Sequence, residues 1–144
     1  MRTVTDPLAL ERQVCFALSV ASRNIVALYR PHLEPMGLTH PQYLVMLALW
    51  GDSPLSVKAI SGLLQLDPGT LSPLLKRLES AGYVRRERDP NDERQLAVTL
   101  TESGVALRAR AERIPAAIVR RLGMSLDDLE HLQQVLTRVI AASR

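Results

Sequence analysis

Two sets of residues in this 144-residue chain are of types that could do chemistry. The first is Cys15, the single cysteine; a lone thiol cannot close an internal disulfide and stays available for chemistry. The second runs from Thr70 to Arg94. Thr70, Ser72, Lys76 and Arg77 carry the short hydroxyls and cations that reach base edges in the major groove of duplex DNA. Arg85, Arg86, Arg88 and Arg94 follow within ten residues, interleaved with Asp89, Asp92 and Glu93. Exposed ion pairs contribute only about 0–1 kcal/mol each, so a solvated turn is the bland reading of that mixture. An acidic neighbour can also hold an arginine in one pose. Asp92 is placed to aim Arg94 at a minor groove, where narrow A·T tracts concentrate negative potential, with Arg86 and Arg88 on phosphates.

The elements that must position these groups follow from periodicity. Leu71, Leu74, Leu75 and Leu78 recur at helical spacing, which predicts a buried stripe with Ser72, Lys76 and Arg77 outward. Asp67 and Pro68 form a cap and first-turn proline for that helix, while Pro73 predicts a later start or a kink. After Gly82 the pattern becomes a strand, a turn at Asp89-Pro90-Asn91-Asp92, and a second strand in which Leu96, Val98 and Leu100 alternate with Gln95, Ala97 and Thr99. A helix running into such a hairpin is a winged helix. Upstream, Leu55-Ser56-Val57 is a brief extended segment before a short supporting helix whose Ile60, Leu63 and Leu64 face the core.

The ends of the chain read as long amphipathic helices. The first is expected to start with Asp6 as N-cap and Pro7 at the first helical position, to carry Val14, Leu18, Ala21, Ile25 and Leu28 as a seam for another helix, and to end at Pro31 and Pro35. Thr39 and Pro41 open a second helix in which Tyr43, Leu44 and Leu47 are expected to bury almost completely. Thr101 caps the helix after the wing, with Leu100 and Val105 as a hydrophobic staple. Pro115 should interrupt that helix, and Ser125 with Asp128 opens the last, whose apolar face is Leu129, Leu132, Leu136, Val139 and Ile140. A single small winged helix has no means of covering these seams, so a two-fold homodimer is the economical arrangement.

Bulk properties agree. With 47% hydrophobic residues the chain can bury a core, and with only 3% aromatic residues that core is aliphatic, which disfavours base stacking on single strands. The net charge of +3 is modest, so its placement matters more than its total. The opening MRTVTDPLAL lacks the basic and apolar regions of a signal peptide, and Leu44 to Trp50 is far shorter than the ~20 residues a membrane helix needs, so a cytoplasmic protein with no membrane partner is expected. His32, His40 and His131 show no metal-ligand spacing, and neither a metal nor another cofactor is expected. Tyr83 and Trp50 are read as packing residues.

The order helix, helix, Leu55-Ser56-Val57, helix-turn-helix, a D-x-x-D-E-R wing ending at Arg94, and Leu100-Thr101-x-x-Gly104 resembles the MarR family of bacterial transcription regulators over essentially the whole chain. The resemblance implies a mainly α fold with a small β-hairpin. It would be a single domain, 1–144, with a winged helix-turn-helix at 53–101 and intertwined dimerisation helices at 1–35 and 115–144. It also implies a homodimer on a pseudo-palindromic operator, usually acting as a repressor. Gln13-Val14-Cys15-Phe16, Tyr29, Pro41-Gln42-Tyr43, Leu66-Asp67 and Gly69-Thr70-Leu71 are similar to the OhrR-like branch, whose members sense organic hydroperoxides through one cysteine.

That resemblance implies that Cys15 is the redox sensor, oxidised to a sulfenic acid and then converted to a mixed disulfide or related product. The chain has no second thiol, so a low-molecular-weight thiol would resolve it. The supporting hydroxyls come from the opposite subunit; Tyr29 matches one, His40 stands where the branch has a second tyrosine, and Ser19 replaces another. Tyr43 completes the supporting set. Without the resemblance, Cys15 reads as a small buried hydrophobe. Two further functions compete with the peroxide-sensing repressor: a regulator whose pocket takes a phenolic or other small molecule, and a thiol peroxidase. The last lacks any pattern supplying an activating base, so no enzyme is expected.

Overall fold

The computed structural model describes residues 6–144, the side chain of Glu11 excepted; the first five residues of the expected 1–35 dimerisation segment lie outside it. The chain divides into two compact units, one up to Ala109 and the other from Arg110.

In the first unit a 3-10 turn (Leu10–Arg12) precedes α1 (Val14–Leu33). Asp6 does not cap α1: its carboxylate accepts from the Leu8 N–H at 3.0 Å and closes a local turn, and the helix begins at Val14 after Gln13. A short acidic side chain reaches the amide two residues on as readily as it caps a helix, and here the turn wins. Cys15 therefore sits in the first turn of α1. Pro31 does not end the helix, which runs two residues past it to Leu33 before a 3-10 turn at Glu34–Met36 and a left-handed Gly37. The cost of its missing donor is confined to the last turn.

Next come α2 (His40–Gly51), β1 (Leu55–Ser56), α3 (Val57–Leu64), α4 (Pro68–Ser80), β2 (Val84–Asp89), β3 (Asp92–Leu100) and α5 (Glu102–Ala111). The second unit carries α6 (Ile114–Leu122) and α7 (Leu126–Ala142), with Pro115 in the first turn of α6 and the Ser125 hydroxyl accepting from Asp128 N–H at 3.1 Å, as the sequence predicts.

α2 opens with the Thr39 N–H on the Gln42 side chain at 3.0 Å and buries Gln42, Val45, Met46 and Leu49, one helical stripe. Leu47 lies off that stripe and is 43% exposed, against expectation. On α3 the turned-in set is Val57, Ile60, Ser61 and Leu64, which leaves Leu63 62% exposed rather than in the core. α4 starts at Asp67–Pro68 and passes through Pro73 without a later start. Pro73 withholds one N–H, the one that would reach the Gly69 carbonyl, and the helix absorbs that loss in its second turn.

The sheet is antiparallel in the order β1-β3-β2, so the segment at Leu55 joins the hairpin as a third strand. The expected alternation along β3 holds only in part. Ala97 and Val98 are both buried where β1 pairs with β3, whereas Leu96, opposite Arg88 and beyond the end of β1, is exposed. Val105, expected in a staple with Leu100, is 59% exposed, and the start of α5 is held by the Thr101 hydroxyl accepting from Gly104 N–H at 3.1 Å.

Candidate functional site

The α3–α4 pair is built by local capping. The Ser56 hydroxyl accepts from Ala59 N–H at 2.9 Å, and Gln65 turns left-handed at φ 53° to end α3. Asp67 then caps α4, accepting from the Thr70 N–H at 2.8 Å and from the Thr70 hydroxyl at 3.0 Å. These bonds hold the Asp67 carboxyl below the usual carboxylate range, the backbone bond first. They also occupy the hydroxyl proton of Thr70, which keeps only oxygen lone pairs to offer outward. Leu71, Leu75 and Leu78 are fully buried, and Ser72, Lys76 and Arg77 are exposed on the opposite face. That face is a row of donors of the size a major groove admits.

The wing arginines differ sharply in what they touch. Arg94 is 92% exposed, with its N–H on the Asp92 carboxylate at 3.1 Å and its Nε 3.4 Å from the same oxygen. Arg88 donates through Nη1 to the Glu93 carbonyl at 2.9 Å, and Arg85 faces Glu87 at 3.4 Å. Arg86, expected on a phosphate, is turned inward. Its Nε and Nη2 reach Glu79 Oε1 at 3.3 and 3.1 Å, and its backbone N–H donates to Glu79 Oε2 at 3.1 Å. Glu79 is a residue the sequence reading missed, because it lies in α4 and Arg86 in β2, on either side of the Gly82 turn, so no period within one element links them.

The supporting residues of the thiol form one cluster where α1 meets α2. The Tyr29 and His40 rings are 5.0 Å apart and edge-on, and Tyr43 lies 5.7 Å from Tyr29 and 6.3 Å from His40. Burial pushes the Tyr29 and Tyr43 phenols up, with the Tyr29 charge adding to the effect at Tyr43, so both stay protonated donors. Burial pushes His40 down, which favours neutral imidazole near pH 7. A cavity of about 260 Å³ opens beside the cluster, lined by Val26, Arg30, Leu33, Glu34, Leu38 and His40 among others. Cys15 is exposed and is not part of this cluster. It lies fourteen residues before Tyr29 on the same helix, about 21 Å at 1.5 Å per residue.

Two packing aromatics tie the unit together. Trp50 Nε1 donates to the Gly104 carbonyl at 2.9 Å, and the Tyr83 hydroxyl donates to the Met36 carbonyl at 2.7 Å.

The MarR family model matches residues 38–96, from the turn before α2 through most of the wing. The organic hydroperoxide resistance transcriptional regulator of Bacillus subtilis is 40% identical over 94% of this chain and 92% of its own. This chain belongs to the MarR family. The transcriptional regulator TtmR of Methylorubrum extorquens is 47% identical over 85% of the chain, which spans 63% of that relative's length. Among solved structures, reduced AbfR bound to DNA superimposes with a TM-score of 0.78 at 34% identity, covering 94% of each chain.

As a MarR-family chain it leaves two helices nearly bare. The single buried residue of α1 is Leu33, and α7 buries none; Val14 is 67% exposed on the expected seam. Among the described residues no helix is long and apolar enough to cross a membrane, and no cluster of three or more metal-ligating side chains occurs.

Proposed function

We propose that this chain is a homodimeric, DNA-binding repressor that releases its operator when an organic hydroperoxide oxidises Cys15. The similarity to the B. subtilis organic hydroperoxide resistance regulator, end to end and with Cys15 exposed in the first turn of α1, carries the reading. The unburied seams of α1 and α7 support dimerisation, with 1–35 and 115–144 as the pairing segments of one MarR-type domain. The roughly 21 Å between Cys15 and the Tyr29–His40–Tyr43 cluster supports it independently. Within one chain these phenols and the imidazole cannot donate to the sulfur, whereas a partner's antiparallel α1 can bring its own cluster alongside.

In the dimer Thr70, Ser72, Lys76 and Arg77 face base edges in adjacent major grooves about 34–36 Å apart, and Arg94, held by Asp92, enters the flanking minor groove with Arg88 on the backbone. The thiolate attacks the terminal peroxide oxygen, the O–O bond breaks, and an alcohol leaves as Cys15 becomes a sulfenic acid. A low-molecular-weight thiol then forms a mixed disulfide with loss of water. The added bulk at the helix start re-angles α1 and spoils the half-site spacing. The protein acts in the cytoplasm, as a regulator and not as a peroxidase.

The test uses the duplex that the wild-type protein enriches from a randomised library. Cumene hydroperoxide should release wild-type protein from it and leave Cys15→Ser bound. Equal release of both removes Cys15 from the mechanism. The 260 Å³ cavity beside His40 favours a small-molecule-responsive regulator as the second reading, which predicts release by phenolic acids from both proteins.

A further inference from the structure

The inward turn of Arg86 changes what the wing is. We propose that Glu79 and Arg86 form a brace between α4 and β2 that sets the pose of the wing, and that Arg86 is a positioning residue and not a phosphate contact. The inference rests on the DNA-binding reading above.

Three bonds converge on one carboxylate. Glu79 Oε1 takes Nε and Nη2 of Arg86, and Oε2 takes the Arg86 backbone N–H. The guanidinium is engaged through two nitrogens, a planar geometry that a lysine cannot reproduce. The backbone bond matters as much. β2 is an edge strand, and an unpaired edge N–H that meets a carboxylate from the preceding helix fixes the strand's height and tilt against that helix. The Arg86 side chain is only 23% exposed, against 92% for Arg94. A cation poised for phosphate is found in the second state, not the first.

The brace is also well sited. Glu79 is in the last turn of α4, one residue before its end, and Arg86 is the third residue of β2. Between them the chain makes its turn at Gly82, left-handed at φ 84°, with Tyr83 N–H on the Leu78 carbonyl at 3.0 Å. That short link sets where the strand begins but not how it leans. Pairing of β3 with β1 holds the base of the hairpin, and the carboxylate adds the tie from β2 to α4 that sets how far Arg94 stands from the donors of that helix.

The two roles predict opposite signs for one substitution. If Arg86 contacts phosphate, Glu79→Gln removes a negative charge beside it and frees the guanidinium, so binding tightens. If the pair is a brace, Glu79→Gln loosens the wing and binding weakens by about tenfold, the scale of losing one well-placed arginine contact. Affinity is measured on the library-enriched duplex and on the same duplex with G·C in place of A·T at the wing positions, with circular dichroism melting of each protein alongside. The brace predicts weaker binding by Glu79→Gln, loss of discrimination between the two duplexes, and no further loss in the Glu79→Gln/Arg86→Gln double variant relative to Arg86→Gln. A purely structural role would not move the discrimination. Unchanged or tighter binding by Glu79→Gln, or retained discrimination, overturns the brace. If the wild-type protein enriches no duplex, the DNA-binding reading itself fails and the inference falls with it.

Discussion

Gly104 gives a sharp test of how the wing is attached. It is buried in the first turn of α5, where replacement by alanine would ordinarily gain up to about 1 kcal/mol of helix propensity. Here a Cβ would fall well inside contact distance of the Tyr83 carbonyl oxygen, 3.1 Å from the Tyr83 carbonyl carbon and 3.2 Å from Leu100 Cδ2. The first two are backbone and cannot rotate away. Relief requires α5 to slide from the strand, which strains the Thr101 N–H on the Tyr83 carbonyl and the Trp50 indole on the Gly104 carbonyl. Overpacking of this kind costs about 1–3 kcal/mol, and each weakened hydrogen bond about 0.5–1.5 kcal/mol. Set against the helix gain, Gly104→Ala should lose about 1–5 kcal/mol. For a chain of this length that is a fall in melting temperature on the order of 10 °C, read by circular dichroism at fixed protein concentration. An unchanged or raised melting temperature would refute the argument, because helix propensity alone would then have decided the outcome.

Two other outcomes follow from the wing and the aromatic cluster. Arg94→Ala should weaken binding to the enriched duplex and reduce the slope of log affinity against log salt by about 0.9; the same slope in both proteins would remove Arg94 from the DNA contact. The lowered His40 means that the unfolded chain takes up a proton first, near the ordinary histidine value of about 6.5, so its contribution to stability is complete above that pH and is lost as pH falls through it towards the folded value. Asp67 and Glu79 are held low by hydrogen bonds, and their contributions fade only at more acid pH. Melting temperature should therefore fall less between pH 7.5 and about 5 in His40→Gln than in the wild type; parallel curves would show that His40 is not desolvated.

Much of the reading head was legible because its signals are local. The leucine stripe of α4, the Asp67 cap, the Pro90-Asn91 turn and the Asp92–Arg94 contact each involve residues within a few positions of one another, where period and side-chain reach decide the geometry. The same holds for Ser125 and Pro115. Where local rules offered two solutions they misled: Asp6 could cap a helix or close a turn, and Pro73 could delay or kink a helix or be absorbed within it.

The amino-acid sequence by itself determined the element types, the outward donors of α4 and the presence of a single thiol. Its resemblance to known regulators pointed to what that thiol does. Only the tertiary structure decided that Leu47 and Leu63 stay outside, that Arg86 turns inward to Glu79 while Arg94 stays exposed beside Asp92, and that Tyr29, His40 and Tyr43 gather where α1 meets α2, apart from Cys15. The physical reason is common to all three. Periodicity states which side chains share a face, but which face is covered, and which charge finds a partner, depends on elements that meet only when distant segments of the chain are packed.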